Sequence, residues 1–414
     1  MILLNKNTFT SLRHRDFRCF IIGQAISVIG TWLQKTAQTW LLYTLTKSPL
    51  LLGMLGVFQF GPTLLFSAFS GAIVDRFPKK KLLYCTQTVF MIQAFILFML
   101  VYTNHVTYWS IFILAVISGF ATTLDMPTRQ SYFIDLVGKE DLPNAVSLNS
   151  SIFNIAKIIG PSIAGIIMVK FGTSFCFFLN FLSFTAVLIG LFLISAKDKV
   201  SDKPHKNLLK EVKDGLVYIR NNTKLVKTFI LMGIVCTFCM NIDVISPVFS
   251  KTILHKGANG YTFLLSAMGF GSLLGTFKMA STRKKDLTFK LLKTAAFSTA
   301  IFQILASFSS NYYLCALFIL GSGFANLAFL NGSNSILQLN TKDEYRGRVM
   351  SIYSLFNAGS VPIGNFFVGS VMNAFGGRAG FLSVGIITVI LTGAFALFSE
   401  QKHNIGKSLT ARYR

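Results

Sequence analysis

Residues 174–195 read SFCFFLNFLSFTAVLIGLFLIS, a run without one charged side chain. The core of a bilayer takes roughly 20 apolar residues in helical form, and this stretch is long enough to cross it. Working outward, eleven further stretches of the same kind occur. They lie near 18–45, 51–74, 82–102, 108–128 and 145–169 before it, and near 226–249, 261–281, 288–308, 312–335, 347–372 and 378–398 after it. All are too long for barrel strands and none alternates with period two, so each reads as a spanning helix. The expected fold is an all-α membrane protein of twelve transmembrane helices in two pseudo-symmetric six-helix bundles. Composition agrees: of 414 residues 52% are hydrophobic and 13% charged, where a soluble domain carries about 25% charged residues. A soluble enzyme of two or three domains is excluded.

The net charge of +24 would suit a nucleic-acid partner, but its distribution argues otherwise. With the N-terminus placed inside, 31 of the 39 Lys and Arg fall in the termini and even-numbered connections. Five fall in the odd-numbered connections (Lys47, Lys170, Lys251, Lys256, Arg378) and three inside spans (Lys35, Lys157, Lys278). Positive charge is retained on the cytoplasmic side, so both termini are expected there, in a multi-pass protein of the cell inner membrane. No soluble basic face forms, and no nucleic-acid partner is expected. Arg13, Arg15 and Arg18 precede an apolar run of full spanning length with no small-residue cleavage site, which is not the pattern of a cleavable signal.

What is missing also narrows the function. The five His (14, 105, 205, 255, 403) lie in connections or tails, which leaves no haem ligand, intramembrane zinc site or His relay in a span. Cys236 and Cys239 form a CxxC inside a span without a His nearby, and read as packing rather than redox or metal chemistry. Gly406-Lys407-Ser408 resembles the end of a phosphate loop, but Gln401 stands where its first Gly is required. No catalytic residue, metal or cofactor is expected. With no nucleotide-binding domain, energy must come from an ion gradient or the substrate's own gradient.

The longest polar stretch separates six spans from six. The expected units are an N-terminal bundle at 1–195, a cytoplasmic linker at 196–225, a C-terminal bundle at 226–400 and a tail at 401–414. Within the linker Leu208, Leu209, Val212, Leu216 and Ile219 recur at helical spacing among charges, as in an amphipathic helix on the membrane surface. The halves repeat at a shift of 204 residues. Ser118-Gly119-Phe120 matches Ser322-Gly323-Phe324, Glu140 matches Glu344, Ser147 matches Ser351, Gly160 matches Gly364, Gly165 matches Gly369, and Phe171-Gly172 matches Phe375-Gly376. Parallel repeats suit a carrier whose halves rock around a site near the midplane.

After span two the chain reads Gly71-Ala-Ile-Val-Asp75-Arg76-Phe-Pro-Lys79-Lys80-Lys81. An acid beside four cations at a helix end is either a charged turn that anchors topology or a latch that holds one conformation. A second segment runs Asp125-Met-Pro127-Thr-Arg129-Gln130, then Asp135-Leu-Val-Gly-Lys-Glu-Asp-Leu-Pro-Asn144-Ala145, Leu148-Asn149-Ser150, and Gly160-Pro161-Ser-Ile-Ala-Gly165. The first pattern resembles the signature of the major facilitator superfamily. The second resembles its proton-antiporter branch, which includes enterobactin exporters and macrolide efflux pumps. The resemblance implies a conformational latch at Gly71, Asp75, Arg76, Lys79 and Lys80, and an antiporter-type kink in span five at Gly160, Pro161 and Gly165. Pro161 frees a backbone carbonyl while the two glycines permit close packing; a plain packing kink is the alternative. There are departures. Asn365 stands where Pro161 would repeat, Arg283-Lys284-Lys285 lacks the latch acid, and Arg129 lies at the cytoplasmic end of span four rather than within it.

Three spans carry polar stripes at helical spacing. Span one has Gln24, Ser27, Thr31, Gln34 and Gln38 with Lys35 beside them; span five has Ser147, Ser150, Asn154 and Lys157; span seven has Cys236, Cys239, Asp243, Ser246 and Ser250. Such a stripe faces either a water-filled cavity or other helices. By the resemblance, spans one, four, seven and ten line the cavity. Candidate cavity residues are therefore Gln24, Thr31, Gln34, Lys35, Gln38, Asn154, Lys157 and Ser246. Charge at depth costs roughly 3 kcal/mol, so buried acids are paired or functional. Asp243 and Asp125 are the proton-coupling candidates; structural pairing is the alternative for Asp243, and helix capping for Asp125. Lys157 meets either an anionic substrate or an acid.

The expected function is export of a small siderophore-like or drug-like molecule by proton antiport, with small-molecule substrate, protons and lipid bilayer as partners and a monomer as the working state. An importer of an anionic nutrient is the rival, favoured by Lys35 and Lys157; a non-transporting membrane receptor is a further one.

Overall fold

The computed structural model describes residues 9–195, 208–282 and 286–412. The expected latch repeat at Arg283–Lys285 and most of the linker lie outside the described residues. Among the described residues there is no strand. The helices are α1 Arg15–Thr46, α2 Pro49–Arg76, α3 Lys79–Tyr102, α4 Tyr108–Phe171, α5 Thr173–Leu193, α6 Leu208–Arg220, α7 Thr223–Phe238, α8 Ile242–Thr252, α9 Gly257–Ala280, α10 Phe289–Phe308, α11 Tyr312–Leu339, α12 Asp343–Phe375 and α13 Arg378–Arg412. They yield twelve spans because α4 holds spans four and five, α7 and α8 together make span seven, and α6 is not a span. Among the described residues nine helical stretches are long and apolar enough to cross a membrane on hydropathy, α4 counting once. The two spans outside that set are α1 and α9. α1 carries the Gln- and Thr-rich stripe, and α9 is rich in Gly and Ser.

α4 starts on a capping box, Thr107 and Ser110 each bonding the other's backbone N–H. It breaks at Gly138, where φ is 74° and only glycine is unstrained. Span seven, expected as one continuous helix over 226–249, is also broken: α7 ends at Phe238 and α8 begins at Ile242. A break inside a membrane must satisfy its freed backbone groups internally. Here the Cys239 carbonyl accepts from Gln303 Nε2 on α10 (3.0 Å) and Asn326 Nδ2 on α11 (3.5 Å). Asn241 Nδ2 donates to the carbonyls of Thr237 (2.7 Å) and Phe238 (3.1 Å).

Two compact units form. One is Met1–Leu208 with Ser246–Ser266, the other Leu209–Ile245 with Ala267–Arg414. Within the first, α1 packs along α5 and α4, α2 along α4, and α3 along α5; within the second, α10 packs along α11 and α13, and α12 along α7. Span three thus pairs with span six as span nine pairs with span twelve, which is the repeat expressed as packing. Edge-on rings of Phe17 and Phe20 against Phe133 (5.7 and 6.0 Å) fix one end of α1 on α4.

Several of the repeated glycines mark close approaches between helices. A Cβ on Gly119 would lie 2.5 Å from the carbonyl oxygen of Gln59, and one on Gly323 would run into the carbonyl of Met268. Gly323→Ala must push the α9 and α11 backbones apart and is expected to cost about 1–3 kcal/mol. Gly71→Ala meets no heavy atom within 4 Å and should gain several tenths of a kcal/mol from helix propensity. Thermal unfolding of the purified protein in detergent checks both, and equal midpoints for the two variants would reject the assignment of Gly323 to a tight crossing.

The chain before α1 is anchored to the connection after Gly138. Ser11, at 0% exposure, donates its N–H (3.1 Å) and hydroxyl (2.6 Å) to Asn144 Oδ1. His14 Nε2 meets Asp141 Oδ2 at 2.8 Å. Hydrogen bonds from the Thr10 and His14 side chains, with the nearby charge of Arg13, hold the Asp141 carboxyl below its ordinary range. That contribution is present above the usual carboxylate pKa and is lost as pH falls through the lowered one.

The expected amphipathic helix forms as α6, and part of it meets protein. Ile219 enters the core of the second unit, Tyr218 stacks on Tyr345 at 4.2 Å, and the Tyr218 hydroxyl accepts from the Lys342 N–H (3.1 Å). Leu216 and Val217 remain exposed.

Candidate functional site

The α1 stripe has two edges with different work. On one edge Gln24, Ser27, Gln34 and Gln38 are buried. Gln34 Nε2 donates to Gln93 Oε1 on α3 (2.8 Å), and Asn180 Nδ2 on α5 donates to Gln34 Oε1 (2.8 Å). Gly30 makes room for this ladder: a Cβ there would lie 2.6 Å from Asn180 Oδ1. Gln34, expected to line a cavity, therefore stitches spans one, three and six together. Gln24 keeps a buried Oε1 with no partner.

On the other edge Thr31 is exposed and Lys35 half-buried. Here the structure adds a residue that stripe-reading missed, Trp32. Lys35 Nζ lies 4.7 Å from its ring centroid, and Lys157 Nζ, from the second half of α4, lies 5.9 Å from the same centroid. Both fall within the reach of a cation–π contact. Asn154, one turn before Lys157, is half-buried too. The kink residues hold this arrangement: Pro161 is buried, and a Cβ on Gly160 would lie 2.5 Å from Trp32 Cβ. A Cβ on Gly165 would collide with the Thr262 hydroxyl.

Asp125 is 4% exposed. It accepts from Thr86 Oγ1 (2.9 Å) and Gln87 Nε2 (2.6 Å), and pairs with Arg129 one turn on. Arg129 was expected at the end of span four; α4 continues through it and it is buried, with Nε and Nη1 lacking partners. The proline-bearing motif Asp125–Arg129 is thus an intrahelical ion pair.

Asp243 sits in the first turn of α8, immediately after the span-seven break, and is half-buried. The N-terminus of a helix is electrostatically favourable for a carboxylate. Ser246, one turn further, is fully buried with an unpartnered Oγ.

At the expected latch, Lys79 is buried and its Nζ meets Asp135 Oδ2 at 2.6 Å, while Lys80 Nζ donates to the Ile194 carbonyl (2.7 Å). Arg76 is exposed. Asp75 lies in α2, and its side chain is outside the described residues. Two acids and an amide of the second motif thus have partners: Asp135 takes Lys79, Asp141 takes His14, and Asn144 takes Ser11.

Comparison with known proteins agrees with this architecture. Residues 6–408 match the family model described as transmembrane secretion effector. The chain is 25% identical to the staphyloferrin A transporter of Staphylococcus aureus over 92% of its own length and 96% of that protein's. It is 22% identical to macrolide efflux protein A of Streptococcus pyogenes, covering 91% and 94%, and 21% identical to the enterobactin exporter of Shigella boydii, covering 91% and 92%. Among solved structures, a bacterial homologue of the human lysosomal transporter Spinster superposes with a TM-score of 0.72 at 13% identity, covering 96% of this chain and 98% of that one. The nucleoside transporter NupG gives 0.70 at 13%, covering 94% and 98%. With twelve spanning helices, a repeated six-span unit and a family match over nearly its whole length, the chain belongs to the transmembrane secretion effector family of major facilitator transporters.

Proposed function

We propose that this transporter is an exporter of the inner membrane, both termini cytoplasmic, moving a small organic molecule outward by alternating access while protons flow inward. The observation that carries the reading is the open edge of α1, where Lys35, Trp32 and Lys157 place charge and an aromatic face in half-buried positions of a membrane bundle. Charges at such depth are retained for function or pairing. The relatives named for export of a siderophore or efflux of macrolides support the outward direction. Asp243 is the coupling acid in this reading, and the segment from Gly71 to Lys80 is the latch. The N- and C-terminal bundles, divided by the linker at 196–225, are the rocking bodies.

Everted vesicles test it. An imposed pH gradient, acid inside, should drive accumulation of a macrolide or a siderophore such as enterobactin, and nigericin should abolish it. Asp75→Asn should slow turnover about tenfold or more while cargo affinity stays within about twofold, since a latch governs cycling and not the binding surface. Equal turnover would remove the latch role. The cations of the open edge also suit an importer of an anionic nutrient; in that case counterflow would run with the opposite proton direction and the acid-inside gradient would expel cargo.

A further inference from the structure

Two stretches outside the spans match each other under the shift of 204 residues that relates the halves. His14 meets Asp141, with Nε2 and Oδ2 2.8 Å apart; the residues at the shifted positions are Tyr218 and Tyr345, whose rings stack at 4.2 Å and 9°. Ser11 donates to Asn144; at the shifted positions Gly215 packs on Arg348, where a Cβ would lie 3.2 Å from Arg348 Cβ. Thr10 bonds the Asp141 side chain, and its counterpart Asp214 pairs with Arg348 at 3.8 Å. We infer that the segment Thr10–His14 and α6 are copies of one element, a brace in each bundle, and that Ser11, His14 and Tyr218 are positioning residues of the transport cycle. They act through Asn144, Asp141 and Tyr345 on the elbow that joins the fourth and fifth spans of their own bundle.

The elbows are where the backbone supports itself least. α4 leaves helical geometry at Gly138, and Pro143 has no N–H to give to the turn before it. In the second bundle α11 ends at Leu339 and α12 starts at Asp343, with no side-chain cap at Lys342. Lys342, the counterpart of Gly138, gives its N–H to the Tyr218 hydroxyl (3.1 Å), and the Asn340 carbonyl accepts from Asn222 Nδ2 (3.3 Å). Each brace also leads straight into the first span of its bundle: α1 follows His14 directly, and α7 begins at Thr223 after α6 ends at Arg220. The brace therefore ties the start of that span to the elbow, as a bundle that rocks as one body requires. The chemistry differs while the placement is kept. Hydrogen bonds and an ion pair hold the first brace; stacked rings and Ile219 in the core hold the second. Loss of a brace should loosen its own elbow and slow the conformational step without touching the residues that meet cargo.

Hydrogen exchange of the full chain in phosphatidylcholine nanodiscs, read by mass spectrometry, tests the braces without any cargo. Ser11→Ala with His14→Ala should speed amide exchange across 138–147 about tenfold or more, while exchange across 340–350 stays within about twofold. Tyr218→Ala should do the reverse. The elbow that each variant leaves alone is its control, because global unfolding would speed both. His14→Tyr with Asp141→Tyr moves the stacked pair of the second bundle into the first. It should return exchange across 138–147 to within about threefold of the parent, where His14→Ala with Asp141→Ala does not. Counterflow of a macrolide or enterobactin at equal pH reads the cycle. In Ser11→Ala with His14→Ala turnover should fall about fivefold while the half-saturating concentration stays within about twofold, and the Tyr pair should recover it. Exchange across 138–147 unchanged by the double Ala variant at 11 and 14 would overturn the brace, as would loosening of both elbows by either variant. A loosened elbow with parental turnover would overturn the positioning role. Neither measurement uses a pH gradient, so failure of proton-driven export strikes the exporter reading and leaves the braces to be judged on their own result.

Discussion

Asp243→Asn is expected to abolish uphill export while exchange of cargo across the membrane continues. One proton moving down 100 mV supplies about 2.3 kcal/mol, enough to sustain a cargo ratio of about 50. Without a titrating group that is exposed to each side in turn, the ratio should fall to one. Asn matches Asp in size, and Asp243 sits in the first turn of α8 after the span-seven break, so insertion and folding should survive. The amide neither takes up nor releases a proton. Reconstituted vesicles measure both quantities: accumulation driven by a pH gradient should drop to the level of empty vesicles, and counterflow at equal pH should remain within about threefold of the parent. A variant that still concentrates cargo under a pH gradient would take Asp243 out of the coupling mechanism.

How far the sequence discloses such a site depends on how local its determinants are. The spans, their number and the duplication are written in hydropathy and in a constant shift of 204 residues, and the repeated glycines turn out to have matched tasks. Gly119 sits on Gln59 as Gly323 sits on Met268, and Gly160 sits on Trp32 of span one as Gly364 sits on Thr237 of span seven. The α1 stripe was also visible, but not which edge meets helices and which stands open. That is decided by Gln93 and Asn180, 59 and 146 residues from Gln34, and nothing in the local spacing encodes it. The break in span seven is hidden for the same reason. The hydropathy of Thr223–Thr252 marks one membrane-spanning stretch, and the amides that satisfy the freed carbonyl are supplied by Gln303 and Asn326, far along the chain. The motif from Asp135 to Asn144 could be matched to a family but not explained. Its partners Lys79, His14 and Ser11 lie on other elements that folding brings to it.

The second large effect belongs to Asp125. Asp125→Asn should destabilise the protein by about 3–5 kcal/mol, because removing one member of a buried pair leaves the other charge uncompensated. Arg129 already has Nε and Nη1 without partners, so its charge has little else to lean on once the carboxylate is gone. Thr86 and Gln87 both donate to Asp125 Oδ1, so the new amide keeps them only by turning its NH2 group, a donor, toward the Arg129 guanidinium. Arg129→Met should cost less, since the carboxylate keeps those two hydrogen bonds. Asp125→Asn combined with Arg129→Met removes both charges and should unfold closer to the parent than Asp125→Asn alone does, giving a coupling free energy of about 2 kcal/mol or more in the double-mutant cycle. Thermal midpoints of the four proteins in detergent, read by the fraction that stays monodisperse, give the order. The informative failure is specific. If Asp125→Asn melts with the parent yet loses uphill export and keeps counterflow, the pair is no structural clamp, and the proton is carried at Asp125 on span four in place of Asp243 on span seven.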